Sequence, residues 1–165
     1  MYDFKPDPAL DTAERYRQLV DAANALTSGE PDPIANMANV AALIWEFVPD
    51  LNWAGFYRLG ANAEGADELV LGPFVGRPAC IRIPIGAGVC GAAAKSGETQ
   101  LVEDVHAFPG HIACDAASRS ELVVPVSREG NVVAVIDLDS PNPARFTNDD
   151  ARGLEALAQL LSSRI

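Results

Sequence analysis

The sequence predicts an α+β fold: a central antiparallel sheet of about six strands, with the N- and C-terminal helices packed on one face. Three observations carry this. Apolar residues recur at helical spacing toward the two ends of the chain. Between residues 52 and 141 the period shortens to aliphatic and aromatic runs separated by Gly-, Asn- and Asp-rich turns. The 165 residues fit a single domain, 1–165, with no repeat, low-complexity stretch or linker to divide it.

The elements follow in order. Asp11-x-x-Glu14 is a capping box with Asp in place of Ser or Thr. Tyr16, Leu19, Val20, Ala23 and Leu26 continue it as a helical stripe that Gly29 can end. Asp32-Pro33 opens a second helix, with Ile34, Met37, Ala38, Ala41, Ile44 and Phe47 as its apolar positions and Pro49-Asp50 closing it. Residues 53–59 and 68–74 read as an antiparallel hairpin. Residues 79–86 read as a third strand with Ile81, Ile83 and Ile85 on one side. A short glycine-flanked helix ends at Gly97, and 99–105 is a brief strand. Residues 106–120 show no period and form a long loop, a common place for function. Residues 121–127 and 131–139 pair around Arg128-Glu129-Gly130. Thr147-x-x-Asp150 caps a last helix with Leu154, Leu157, Ala158 and Leu161 as its stripe.

Composition narrows the function. Hydrophobic residues make up 48% of the chain, enough for a core without disulfides or metal. The net charge of −11 argues against nucleic acid and anionic membrane surfaces as partners. No apolar run approaches the ~20 residues that span a bilayer. The first residues, MYDFKPDPALD, lack the basic and apolar regions of a secretory signal. Three cysteines, an odd number, do not form a secreted disulfide framework. The expected location is cytoplasmic.

Candidate chemistry lies in the second half. Asp137 and Asp139 are two apart and share a strand face. With Ser127 opposite Asn131, Glu121 falls opposite Asp137, and three carboxyls crowd one end of a hairpin. A neighbouring negative charge raises a carboxyl pKa, which makes a general acid available; solvated acids at a strand end are the alternative. Cys114, with His111 three residues before it, is a candidate thiolate nucleophile. No third orienting group is evident, which disfavours a papain-like protease. Cys90 opens the short helix, where a helix N-terminus lowers a thiol pKa. Cys80 ends the loop before the third strand. Thiols beside an acid suit redox chemistry through a sulfenic acid and a disulfide. Zinc is the competing use of Cys80, Cys90, Cys114, His106 and His111, against their irregular spacing. Trp53, Gly55 and Tyr57 alternate onto one face, as core or as an aromatic wall for a small apolar group.

NWAGFY (52–57), LVLGPFVGRPACIRIPIGAGVCGAA (69–93), VEDVHAFPGHIACD (102–115), SELVVPV (120–126) and VIDLDSP (135–141) resemble the free methionine-(R)-sulfoxide reductases, which are single GAF domains. The resemblance implies a GAF-like fold and thiol-dependent reduction of free methionine (R)-sulfoxide to methionine. In that family pattern Cys114 attacks the sulfoxide sulfur and Cys80 resolves the sulfenic acid as a Cys80–Cys114 disulfide. Cys90 is an auxiliary thiol open to exchange during recycling. Glu121 and Asp139 hold or protonate the sulfoxide oxygen, Asp137 pairs with the substrate ammonium, and Trp53 and Tyr57 enclose the methyl end. The resemblance further implies a homodimer without metal or organic cofactor, recycled by thioredoxin or a similar dithiol, in repair of oxidative damage. The rivals are a ligand-binding GAF sensor and a thiol-based redox sensor. The cyclic-nucleotide pattern is absent, since no Asn-Lys pair precedes Phe146 and Asp149-Asp150.

Overall fold

The computed structural model describes residues 6–7, 9–110 and 115–165. Two helices come first, α1 (Thr12–Thr27) and α2 (Pro33–Phe47), then strands β1 (Trp53–Ala61), β2 (Asp67–Gly76) and β3 (Arg82–Pro84). Helix α3 (Gly88–Ser96), strands β4 (Gln100–Val102), β5 (Ser120–Arg128) and β6 (Asn131–Ser140), and helix α4 (Asn148–Leu161) complete the order. The strands form one six-stranded sheet in the order β3-β2-β1-β6-β5-β4, with every neighbouring pair antiparallel. The predicted α+β class is the class observed.

Local chemistry sets the helix ends. The Asp11 carboxylate accepts from the Glu14 N–H, and Asp32 accepts from the N–H groups of Ile34 and Ala35 ahead of a first-turn proline. Thr147 and Asp150 form both halves of the α4 capping box. The alternation of the strands then divides the core in two. Ala54, Phe56, Leu122, Val124, Ile136 and Leu138 face α1, α2 and α4, packing with Leu19, Ile44, Phe47, Leu154 and Leu161. Trp53, Tyr57, Val123 and Val135 face the other way, toward α3 and its Val89, Cys90 and Ala93. Gly153 brings α4 against α1: a Cβ there would lie 2.2 Å from the Tyr16 ring.

Three details depart from the sequence expectations. The strand expected over 79–86 shrinks to Arg82–Pro84, because Gly86, at φ +89, turns the chain back toward α3. Ile81 is therefore 70% exposed while Ile83 is buried, and the three isoleucines do not share a buried face. In α2, Ile34 and Ala38 lie on the exposed side, and Val40 and Leu43 join the buried one. The third departure is the β5–β6 register. Glu129 and Gly130 both have positive φ, so the turn is a two-residue one and Arg128, not Ser127, pairs with Asn131. A bulge follows: Ser127 pairs with Val132 but Val126 with Ala134, leaving Val133 as the extra residue on β6. Val133 swings to the helix-covered side, although alternation placed it with Val135. Turn and bulge each displace the pairing by one residue. Glu121 consequently lies opposite Asp139, and Val123 opposite Asp137. Because the displacement totals two, the side-chain period is preserved and the three acids keep a common face.

Candidate active site

Strands β1, β6 and β5 place the site residues side by side. Trp53 pairs with Asp139 and Gly55 with Asp137, while Glu121 sits across Asp139 from the other side. The first turn of α3, the segment 78–79 and the residues leading into β5 close this patch into a small cavity of about 40 Å³. Its lining includes Trp53, Tyr57, Cys90, Asp115, Ser118, Glu121, Asp137 and Asp139, and no basic side chain among the described residues.

The aromatic wall is stacked. The Trp53 ring lies 5.3 Å from Phe74 and 5.8 Å from Tyr57, close to parallel with both. Gly55 makes room for this stack, since a Cβ there would come within 2.4 Å of the Phe74 Cβ. The Trp53 indole N–H donates to the Arg77 carbonyl at 3.2 Å, and the Tyr57 hydroxyl donates to the Cys80 carbonyl at 3.1 Å. These two bonds fix the segment carrying Cys80 beside the cavity.

Electrostatics set the acids apart. Burial raises the pKa of all three carboxyls, and no cation among the described residues offsets it. Asp137 is 5% exposed. Burial alone pushes it up, hydrogen bonds from Cys90 and Glu121 pull it partly back, and it settles at about 7. Glu121 and Asp139 are held well above the ordinary carboxylate range by burial first and the Asp137 charge second. The Asp137 charge is thus felt by both neighbouring acids and favours their protonated forms. The Ser118 hydroxyl donates to Asp139. One Asp137 oxygen, Oδ1, is buried without a hydrogen-bond partner, an expensive state that a bound donor would relieve.

Cys90 differs from its sequence expectation. It is a free thiol, 4% exposed, at the start of α3. Its sulfur donates to Glu121 Oε1 at 3.9 Å. Burial, then the charges of Asp137 and Glu121, push its pKa well up rather than down; desolvation and two nearby acids outweigh the helix end. Cys90, Glu121 and Asp137 also place a sulfur and two oxygens within 4.8 Å of one another, so these three could hold a metal ion. Of the residues weighed for zinc, only Cys90 belongs to that group; His106 lies on an exposed 3₁₀ turn. Cys114 and His111 lie outside the described residues.

Sequence reasoning put Trp53 and Tyr57 on one face of their strand and Glu121, Asp137 and Asp139 at one end of a hairpin, and the structure brings all five to one cavity. It missed a polar tie beneath them. Asn52 Nδ2 donates to Asp115 Oδ2 at 3.2 Å and to Ser118 Oγ at 3.0 Å, while the Asn52 N–H donates to the Asp139 carbonyl. Asn52 and Asp115 stand at the ends of quoted motifs, a usable signal; Ser118 carried none.

Comparison with known proteins agrees with this geometry. The GAF domain family matches residues 36–165. A free methionine-R-sulfoxide reductase of Escherichia coli is 47% identical over 152 residues, covering 92% of this chain and 89% of that one. A free methionine-R-sulfoxide reductase of Saccharomyces cerevisiae is 42% identical over 158 residues, with 93% and 87% covered. The X-ray structure of the Neisseria meningitidis free methionine-R-sulfoxide reductase in complex with its substrate superposes with a TM-score of 0.90. It is 43% identical, across 99% of this chain and 95% of that one. A six-stranded antiparallel sheet carrying an aromatic wall and three clustered acids fits that company, and the chain belongs to the free methionine-R-sulfoxide reductases, enzymes built on the GAF domain.

Proposed function

We propose that this chain reduces free methionine (R)-sulfoxide to methionine with its own thiols as the electron source. The observation that carries the reading is the acid cluster, lined by no cation among the described residues, in which an ionisable Asp137 keeps an unpartnered oxygen beside two acids that burial and the Asp137 charge push toward their protonated forms. A free amino acid brings an ammonium that meets the Asp137 anion. The substrate carboxylate goes to the first turn of α3, which has no side-chain cap at Ala87. Trp53 and Tyr57 take the thioether methyl. A residue within a polypeptide has no ammonium to offer, and the small cavity excludes its flanking chain.

The chemistry follows. A sulfoxide oxygen must be protonated before sulfur accepts a nucleophile, and Glu121 with Asp139 supplies that proton. The Cys114 thiolate attacks the sulfur; the S–O bond breaks, the oxygen ends on Cys114 as a sulfenic acid, and methionine leaves. Cys80 attacks that sulfenic sulfur, releasing water and forming a Cys80–Cys114 disulfide. Two thiols are oxidised by two electrons and the sulfoxide is reduced by two. A dithiol of the thioredoxin type returns the disulfide to thiols by exchange. We include in this reading the homodimer that the family resemblance implies.

The test is methionine release from separated free R and S sulfoxides and from a peptide-bound sulfoxide, first with dithiothreitol and then with thioredoxin. Turnover of the free R form alone, abolished in Cys114→Ser, is the expected result. Turnover that survives in Cys114→Ser rejects Cys114 as nucleophile, and no turnover by folded, reduced protein rejects the reaction.

A further inference from the structure

The geometry points to a second ligand for this cavity: a borderline-soft divalent cation, Zn²⁺ in the first place, held by the Cys90 sulfur and the Glu121 and Asp137 carboxylates as a reversible inhibitor. That the ion excludes the sulfoxide rests on the proposed reaction; the metal site itself does not.

The donor set is the first argument. Three elements bring it together, with Cys90 from α3, Glu121 from β5 and Asp137 from β6. The Cys90 sulfur is 3.9 Å from Glu121 Oε1. The sulfur and one oxygen of each carboxylate all lie within 4.8 Å of one another, and all three residues are buried. Sulfur and oxygen ligands of a tetrahedral zinc stand roughly 3.5 Å apart, given the usual bond lengths. The Cys90–Glu121 pair therefore needs to close by only about half an ångström. All three residues line the cavity, so an ion has a way in. With a volume of about 40 Å³, the cavity has room for a water as the fourth ligand.

The second argument is the unmet valence. Asp137 is 5% exposed, and its Oδ1 is buried without a hydrogen-bond partner. No basic side chain lines the cavity among the described residues. One thiolate and two carboxylates carry three negative charges, and a divalent ion leaves one of them uncompensated. The third argument is the choice of ion. A sulfur ligand disfavours Mg²⁺ and Ca²⁺, which take shells of oxygen, and favours Zn²⁺, which accepts sulfur and carboxylate together. Binding sends the thiol proton to solvent and moves no electrons. The ion supplies nothing to the reaction; it stands beside Asp137, where the substrate ammonium goes.

The experiment uses the reduced full-length chain. Cys80→Ser/Cys114→Ser leaves Cys90 as its one thiol. Co²⁺ added to this variant gives a thiolate-to-cobalt charge-transfer absorption, and one equivalent of Zn²⁺ displaces it. Adding Cys90→Ser removes the absorption. Adding Glu121→Gln or Asp137→Asn weakens binding of both ions about 100-fold, the upper end of what losing even an outer-shell partner costs. Free methionine (R)-sulfoxide, which this variant leaves unreduced, bleaches the band. In single turnovers of prereduced wild type, Zn²⁺ raises the sulfoxide concentration for half-maximal rate and leaves the maximal rate unchanged. No cobalt band in Cys80→Ser/Cys114→Ser, or binding undiminished by Glu121→Gln and Asp137→Asn, overturns the metal site. A band that persists against saturating sulfoxide overturns the exclusion. A wild type without turnover sinks the proposed reaction instead, and the cobalt band still decides the metal site.

Discussion

Asp150 and Asp137 are both buried aspartates, one on each side of the same sheet, and they are built in opposite ways. Asp150, 2% exposed, has every oxygen engaged. Its Oδ2 accepts from the Thr147 N–H and hydroxyl at 2.8 and 2.7 Å; its Oδ1 accepts from the Tyr16 hydroxyl at 3.2 Å and Arg145 Nη1 at 3.3 Å. Asp137, 5% exposed, faces other acids and keeps one oxygen unpartnered. A buried acid with four donors, one of them the Arg145 cation, fastens α4 to α1 and to the loop before it. A buried acid with an unpartnered oxygen and no cation among the described residues around it is a cost to the fold that a bound donor removes. The comparison teaches that burial of an acid is not itself a sign of function; the state of its hydrogen-bond partners is.

The largest expected effect breaks the functional side. Asp137→Asn keeps the shape and removes the counter-charge, so kcat/KM for free sulfoxide falls on the order of 1000-fold, the scale of losing one partner of a buried charge pair. Stability does not fall with it. The native cluster holds protons that the unfolded chain releases near pH 4. Its stabilising contribution is fully present below about pH 4 and is lost as pH rises through about 7, where Asp137 ionises. Urea midpoints of the wild type fall across that window, and Asp137→Asn flattens the fall; a parallel fall in both proteins refutes the assignment.

The next effect breaks the structural side. Asp150→Ala removes half of the capping box and the closer of the two carboxylates that Arg145 pairs with, costing about 2–3 kcal/mol in urea unfolding. KM for free sulfoxide in the folded fraction stays at the wild-type value. A KM change as large as that of Asp137→Asn would erase the distinction between the two aspartates. The smallest effect sharpens it. Gly153→Ala drives a methyl into the Tyr16 ring and parts α4 from α1. Overpacking outweighs the better helix propensity, for a net loss of about 1–2 kcal/mol by thermal unfolding. Because the strain sits on the helix-covered face, kinetics at the cavity do not move.

Much of this was legible in the chain before any tertiary contact. Asp32-Pro33 and Thr147-x-x-Asp150 started their helices where expected, because a cap is a bond between near neighbours. Leu154, Leu157, Ala158 and Leu161 all face the core as their spacing required. Asp137 and Asp139 share a face because strand geometry alone puts residues two apart on one side. The resemblance supplied the family, and the comparisons agree with it.

What the chain could not state locally was decided by packing. The β5–β6 register depended on the Glu129-Gly130 turn and the Val133 bulge, and pairing is a relation between strands that neither strand encodes alone. The shortening of β3 depended on where Gly86 turned the chain toward α3. The direction of the Cys90 shift depended on which acids came to lie beside it and on how little water remained, so a helix N-terminus read as activating became a buried neutral donor. Periodicity and capping are properties of a few consecutive residues and survive in the sequence. Charge state is a property of the surrounding medium, and that medium exists only once α3 closes over the sheet.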